Sequence, residues 1–300
     1  MVYPWLWAVF TIIAAFAQTV RNAMQRELAV ALGTVGATHV RFLFGFPFAI
    51  CFLVILLWAS GAPLPRPDLK FWPWVVDGAA TQIAATALML VAMGERSFVV
   101  TIAYLKTEPI QVAIFGLIFL GDVVTLPMMI AIVVATAGVM VMSIKPGGMD
   151  GKSSSLRPTL IGLASGGMFA ASAIGFRGAI LELHLLNYMM AATFTLTIGL
   201  AMQAVTLSGY LGLRQPNVML ALMRAWKPSM LAGFMGALAS QFWFLAFALA
   251  TAASVRTLAL VEVLFAQLVA RFAFGQRTTL REAIGMALVV AGVVLLILAY

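Results

Sequence analysis

Leu105-Lys106-Thr107-Glu108-Pro109-Ile110 and Ala259-Leu260-Val261-Glu262-Val263-Leu264 each set one carboxylate in the middle of a long apolar run. The two acids are 154 positions apart, and the same offset separates Gly121 from Gly275, Leu126 from Leu280 and Gly138 from Gly292. This register predicts a fused duplicate with one acid at the same depth in each copy. A charged group at the centre of a bilayer costs at least about 3 kcal/mol, which makes both acids candidates for a functional site.

Composition sets the solvent. The 300 residues are 63% hydrophobic and 9% charged, with a mean hydropathy of +1.07. Soluble domains carry about 25% charged residues, so this chain has too little polar surface to cover itself in water. Lipid is the expected surrounding. The first five residues carry no Lys or Arg and no small-residue cleavage site follows the first apolar run, which favours a retained first span over a cleaved signal. The single cysteine, Cys51, excludes a disulfide framework and a thiolate metal site. The net charge of +8 is scattered over short loops. That distribution fits lipid headgroups and membrane topology rather than a nucleic-acid partner.

A helix needs roughly 20 apolar residues to cross the hydrocarbon core. Ten such runs are expected, near 4–22, 36–59, 71–93, 98–120, 126–144, 158–180, 186–208, 228–250, 254–275 and 279–299. The polar stretch from Lys145 to Pro158, with three glycines and three serines in a row, reads as a linker between repeats. A second breaker cluster, Gly61 to Pro73, separates the second span from the third. The expected organisation is a first five-helix repeat over 1–144, a linker over 145–157 and a second repeat over 158–300. Five spans is an odd number, so the second repeat enters the membrane in the opposite sense. The predicted fold is an all-α membrane protein of ten transmembrane helices in two inverted repeats, a plan of secondary transporters with midplane substrate sites. Arg21 and Arg177, 156 positions apart, are expected to close the first span of each repeat. Loop charges favour both termini outside by the positive-inside rule.

On a continuous fourth helix, Thr101, Tyr104, Glu108, Gln111 and Phe115 share one face. Pro109 removes an amide donor and frees a carbonyl near Leu105. Lys106 lies about 200° around an ideal helix from Glu108, so it needs a partner across the repeat axis, such as Glu262. Glu108 has three readings: a structural ion pair, a substrate-contacting or proton-carrying carboxylate, or a residue near the membrane surface. Glu262 has a plainer face of Leu258, Phe265 and Val269 and reads as a countercharge for Lys106. Gln18 is the deepest polar group of the first span; its amide either contacts substrate or bonds another helix. Gln82, Thr86 and Met89 share a face of the third span; Ser240, Trp243 and Phe247 share one of the eighth. Trp243 at mid-span either walls a cavity or faces lipid. Arg41, Arg177, Arg256, Arg271, Asp77 and Glu182 are expected near span ends, where long side chains reach the interface. His39 and His184 stand apart from any metal-ligand spacing. No phosphate-binding Gly-rich loop and no nucleophile elbow is present, so neither a cofactor nor an enzyme activity is expected.

The tail of each copy carries a further pattern. It runs Glu108-Pro109, Phe119-Leu120-Gly121-Asp122, Leu126 and Gly138-Val139, then Glu262, Phe274-Gly275-Gln276, Leu280, Gly285 and Gly292-Val293. This resembles the EamA-type repeat of the drug/metabolite transporter superfamily, whose helix pair is joined by a Gly-Glu turn. Asp122 replaces that Glu conservatively and Gln276 without charge. The chain, including Leu32-Gly33-Thr34-Val35-Gly36, looks most like bacterial ten-helix amino-acid exporters of the YddG type. The resemblance implies a bacterial inner-membrane exporter of amino acids, aromatic ones included, or related metabolites by alternating access. It implies a central cavity, at which Gln18, Gln82, Tyr104, Glu108, Gln111 and Trp243 would bind substrate. Lys106, Glu108 and Glu262 would balance charge or couple protons. It also implies cytoplasmic termini, against the loop-charge reading. The alternatives are a multidrug exporter of aromatic cations and a non-transporting membrane scaffold.

Overall fold

The computed structural model describes residues 4–94, 105–143, 156–265, 267–268 and 278–299. Among them every regular element is helical. The elements are α1 (Leu6–Leu43), α2 (Phe46–Ser60), α3 (Phe71–Gly94), α4 (Glu108–Phe115), a π turn (Gly116–Leu120) and α5 (Leu126–Ser143). There follow α6 (Leu156–Glu182), α7 (Tyr188–Arg214), α8 (Pro216–Arg224), α9 (Trp226–Leu249), α10 (Ala252–Leu258), a 3₁₀ turn (Ala259–Val261) and α11 (Leu280–Ala299). Eight helices are long and apolar enough to cross a membrane. The expected spans near 98–120 and 254–275 fall partly outside the described residues, as do Tyr104 and most of the expected linker.

Local chemistry sets the helix ends. The Asn187 side chain accepts from the amides of Met189 and Met190 and opens α7. Thr251 accepts from the Ser254 amide to open α10. Thr279 and Glu282 form a reciprocal capping box: Thr279 Oγ1 accepts from the Glu282 amide, and the Glu282 carboxylate accepts from the Thr279 amide at 2.7 Å. Thr125, 154 positions earlier, accepts from the Met128 amide at the start of α5. Each cap satisfies backbone donors that have no intrahelical partner, and is worth about 1 kcal/mol.

The first span, expected at 4–22, is Leu6–Gln25, and α1 continues beyond it to Leu32, breaking only at Gly33 with φ 68° and ψ 175°. That conformation belongs to glycine, since a Cβ there would strain the backbone. The break brings the second arm of α1 back alongside the first. Gln25 Nε2 donates to the Ala37 carbonyl at 2.9 Å, and Leu28, Leu32 and Val40 share one apolar cluster. Arg21 lies in the last turn of the first span and is buried there rather than reaching the interface. The sequence also did not reveal α8, whose nine residues lie between the spans of α7 and α9.

Three helix pairs make the most extensive contacts: α3 with α6, α1 with α9, and α5 with α11. Each is a close approach over small residues, the packing that stabilises helices in lipid. A methyl built on Gly175 would meet the Gly78 amide nitrogen at 2.6 Å, and Ser172 and Ser165 bond the carbonyls of Gly78 and Ala85 across the same seam. A methyl on Gly233 would strike the Phe44 backbone. Between α5 and α11, Gly138 abuts the Gly285 carbonyl while Gly292 abuts the Ala131 carbonyl. Outer faces carry exposed apolar side chains such as Ile284, Val290 and Val294 of α11, and Val54, Ile55 and Trp58 of α2. In water these would be a large unfavourable surface; in a bilayer they meet hydrocarbon.

Candidate functional site

The centre of the bundle is polar. The helix around Glu108 is not continuous: Leu105 is helical, Lys106 and Thr107 form a turn, and α4 begins at Glu108. Pro109, which has no amide hydrogen, is the local reason the ladder lapses there. The ninth-span helix departs from α geometry at the matching place, where the 3₁₀ turn Ala259–Val261 runs directly into Glu262. Such tightened turns recur where helices meet functional constraints.

These breaks gather six side chains into a nearly closed ring. Lys106 Nζ pairs with Glu262 Oε1. Gln18 Nε2 donates to Glu262 Oε2 at 3.2 Å, and Trp243 Nε1 donates to Gln18 Oε1 at 3.1 Å. The Arg256 guanidinium lies 4.7 Å from the Trp243 ring centroid and 5.6 Å from that of Phe247. Its Nε is 3.0 Å from Glu108 Oε1, and Glu108 is two residues from Lys106, where the ring began. Each acid thus takes a cation carried by the other's half of the chain. A half-buried or buried ion pair of this kind survives in low dielectric because both charges and their hydrogen bonds are matched.

Two small chambers flank the ring and share Gln18, Phe169 and Arg256. The first is lined by Arg21, Lys106, Glu108, Glu262 and Met89. The second is lined by Arg41, Gln82, Ser240, Trp243, Phe244 and Phe247. Each has space for only a few water molecules in this conformation.

Several expected residues converge here and others do not. Gln18 makes hydrogen bonds at both ends of its amide. Gln82 lines the second chamber and accepts from Gln203 Nε2 at 2.9 Å. Trp243 is 3% exposed, which rules out the lipid-facing alternative. Gln111 departs from the expected face: it donates to Thr107 Oγ1 and packs against Gly166 and Gly167 of α6, away from both chambers. Glu108 and Gln111 share α4, but Gln111 lies one turn further along it, where its neighbours are Thr107 and α6 rather than the chamber residues.

The arginines were misread. Arg41, Arg177 and Arg256 do not reach an interface; they are 2%, 9% and 8% exposed. Arg177 Nη1 donates to the Phe247 and Ala250 carbonyls at the end of α9, and its Nη2 is 3.2 Å from Asp122 Oδ1. Among the described residues Arg41 donates to two neutral hydroxyls, Thr86 Oγ1 and Ser240 Oγ, each at 3.4 Å, and its guanidinium lies 5.3 Å from the Phe42 ring centroid. Arg21 donates to Asn22 Oδ1 at 2.6 Å. The stems of Arg41 and Arg21 both lie on Gly236 of α9, where a methyl would meet Arg41 Cγ at 3.3 Å and Arg21 Cδ at 3.4 Å. An arginine beside an apolar run is not proof of a span end when a neighbouring helix supplies a glycine notch.

Fold and site together define an all-helical membrane protein with a charged, buried centre. No protein-family model and no curated protein sequence matches the chain. A solved crystal structure, described only as that of a protein, is similar with a TM-score of 0.65. It is 17% identical and the match covers 98% of this chain and 96% of that one, a likeness of fold alone.

Proposed function

We propose that the protein is a transporter of amino acids or related small metabolites, working as an exporter across a bacterial inner membrane by alternating access between two inverted five-helix repeats. The observation that carries this reading is the central ring, whose ion pairs cross between the proposed repeats at α4 and α10. Ionisable groups inside a membrane bundle mark substrate and ion pathways, and this cluster faces the bundle interior. The packing agrees with a two-fold plan. Exchanging the two proposed repeats turns the α3–α6 pair into α9–α1 and returns the α5–α11 pair to itself. The Gly138–Gly285 contact is likewise exchanged for the contact between Gly292 and Ala131. A solved structure of similar fold matches over nearly the whole chain, so this arrangement of helices is not peculiar to one sequence.

The small chambers fit an occluded state that must open toward one side to take cargo. The purified protein in liposomes preloaded with unlabelled amino acids should accumulate labelled ones by counterflow. If no amino acid in a broad panel exchanges, the transport reading is lost. A scaffold role would also leave position 18 closed to a water-soluble thiol reagent, so labelling of Gln18→Cys in a Cys51→Ser background separates the two. Proton coupling through Glu108 predicts that Glu108→Gln flattens the pH dependence of exchange. The aromatic wall of Trp243, Phe244 and Phe247 suits cargo with a ring. It does not by itself favour cationic drugs, because Arg256 already occupies the Trp243 face.

A further inference from the structure

Among the described residues, the charges lining the two chambers do not balance. Four cations, Arg21, Arg41, Lys106 and Arg256, face two carboxylates, Glu108 and Glu262. Both acids are already engaged, Glu262 by Lys106 and Gln18, Glu108 by Arg256. The surplus is therefore located on Arg21 and Arg41. Both are nearly fully buried, at 1% and 2% exposed. Among the described residues neither has a carboxylate partner. Arg21 Nη1 and Arg41 Nε make no hydrogen bond, and the two bonds Arg41 does make are long and to neutral hydroxyls. A buried guanidinium left without a counter-anion is strongly unfavourable, and its planar fork is built to take an oxyanion by two parallel bonds.

We infer that Arg41 and Arg21, side by side on Gly236, form a seat for an anionic group, and that the carboxylate of the cargo occupies it. The inference rests on the transport reading above and sharpens it to carboxylate-bearing cargo. Arg41 opens into the chamber walled by Trp243, Phe244 and Phe247, so the seat adjoins a surface for an apolar or aromatic side chain. Arg21 opens into the chamber of the two acids, where an ammonium group would find Glu108 and Glu262 once their present partners shift. The seat supplies the dominant attraction and the acids the lesser one, because among the described charges of the chambers only these two arginines lack a counter-ion beforehand.

Three probes that share a phenyl ring separate these contributions: 3-phenylpropionate carries only the carboxylate, 2-phenylethylamine only the ammonium, and L-phenylalanine both. Equilibrium binding to the detergent-purified full chain should rank L-phenylalanine and 3-phenylpropionate at least tenfold above 2-phenylethylamine. Arg41→Gln should weaken both carboxylates by about tenfold or more while leaving the amine unchanged. Arg41→Lys should recover part of the loss. Equal binding of the amine and the acid by the unaltered protein overturns the seat, and this comparison holds even where a variant fails to fold. So does unchanged carboxylate affinity in well-folded Arg41→Gln, or binding of chloride with no carboxylate binding. Counterflow tells the two readings apart: exchange of amines as fast as amino acids defeats the seat and leaves transport standing. Arginine-dependent carboxylate binding without exchange does the reverse.

Discussion

Arg177 and Arg21 occupy related places, 156 positions apart in the first helix of each proposed repeat, yet their surroundings differ completely. Arg177 is consumed by structure. It holds Asp122 in the turn after the π segment and two carbonyls at the end of α9, joining three elements. Among the described residues Arg21 has a single side-chain acceptor, the amide oxygen of its neighbour Asn22. The sequence offers a cause. The residue 154 positions after Asp122 is Gln276, which carries no charge and lies outside the described residues. Where the acid is kept, the arginine becomes a staple. Where the acid is lost, the arginine keeps its charge for something else.

The strongest way to break this contrast is at the staple. Arg177→Gln strands Asp122 and two carbonyls in a buried site and should cost about 3–5 kcal/mol, read as a large fall in thermal midpoint of the detergent-purified protein. Asp122→Asn should recover part of that loss in the double variant, since it removes the stranded charge. The central ring gives the next effect. Glu262→Gln leaves Lys106 without its acid and should destabilise by about 2–3 kcal/mol, with Lys106→Met restoring much of it in a double-mutant cycle. A seam substitution tests packing without charge. Gly285→Val would press on Met142 and the Gly138 carbonyl and should cost about 1–3 kcal/mol with no change in which cargo is preferred. The smallest stability effect is expected at the other arginine. Arg21→Gln should change the thermal midpoint by the equivalent of under about 1 kcal/mol, because no carboxylate is stranded, while carboxylate binding falls. A large destabilisation there would erase the contrast with Arg177.

Much of the frame was legible before any coordinates. Hydropathy placed six of the spans within about three residues at each end and two more with one end displaced, because a bilayer demands long uninterrupted apolar runs. The Gly61–Pro73 break and the role of Trp243 as a chamber wall could be read as well, the latter only as one of two alternatives. The site was harder for a specific reason. Face arguments assume an unbroken helix, and the turn at Lys106–Thr107 brings Lys106 and Glu108 to the same chamber, while Gln111, one turn further along α4, meets α6. Pro109 signalled that possibility but not its direction. Arg41 and Arg256 were read as interfacial because a single helix gives no hint that a neighbour will bury them. Their burial depends on Gly236 and on the Trp243 ring, residues about 200 and 13 positions away in sequence.

The break at Gly33 makes the distance between two charges a matter of backbone torsion. Arg21 and Arg41 stand on opposite arms of α1, and no atom lies within 4 Å of where a Gly33 side chain would begin. Repulsion between the two guanidiniums therefore acts across a bend that the Gln25–Ala37 bond, the cluster of Leu28, Leu32 and Val40 and the packing on α9 hold closed. An anion seated between them would cancel that repulsion, so the bend at Gly33 sets how well two charges on one helix can share a single guest.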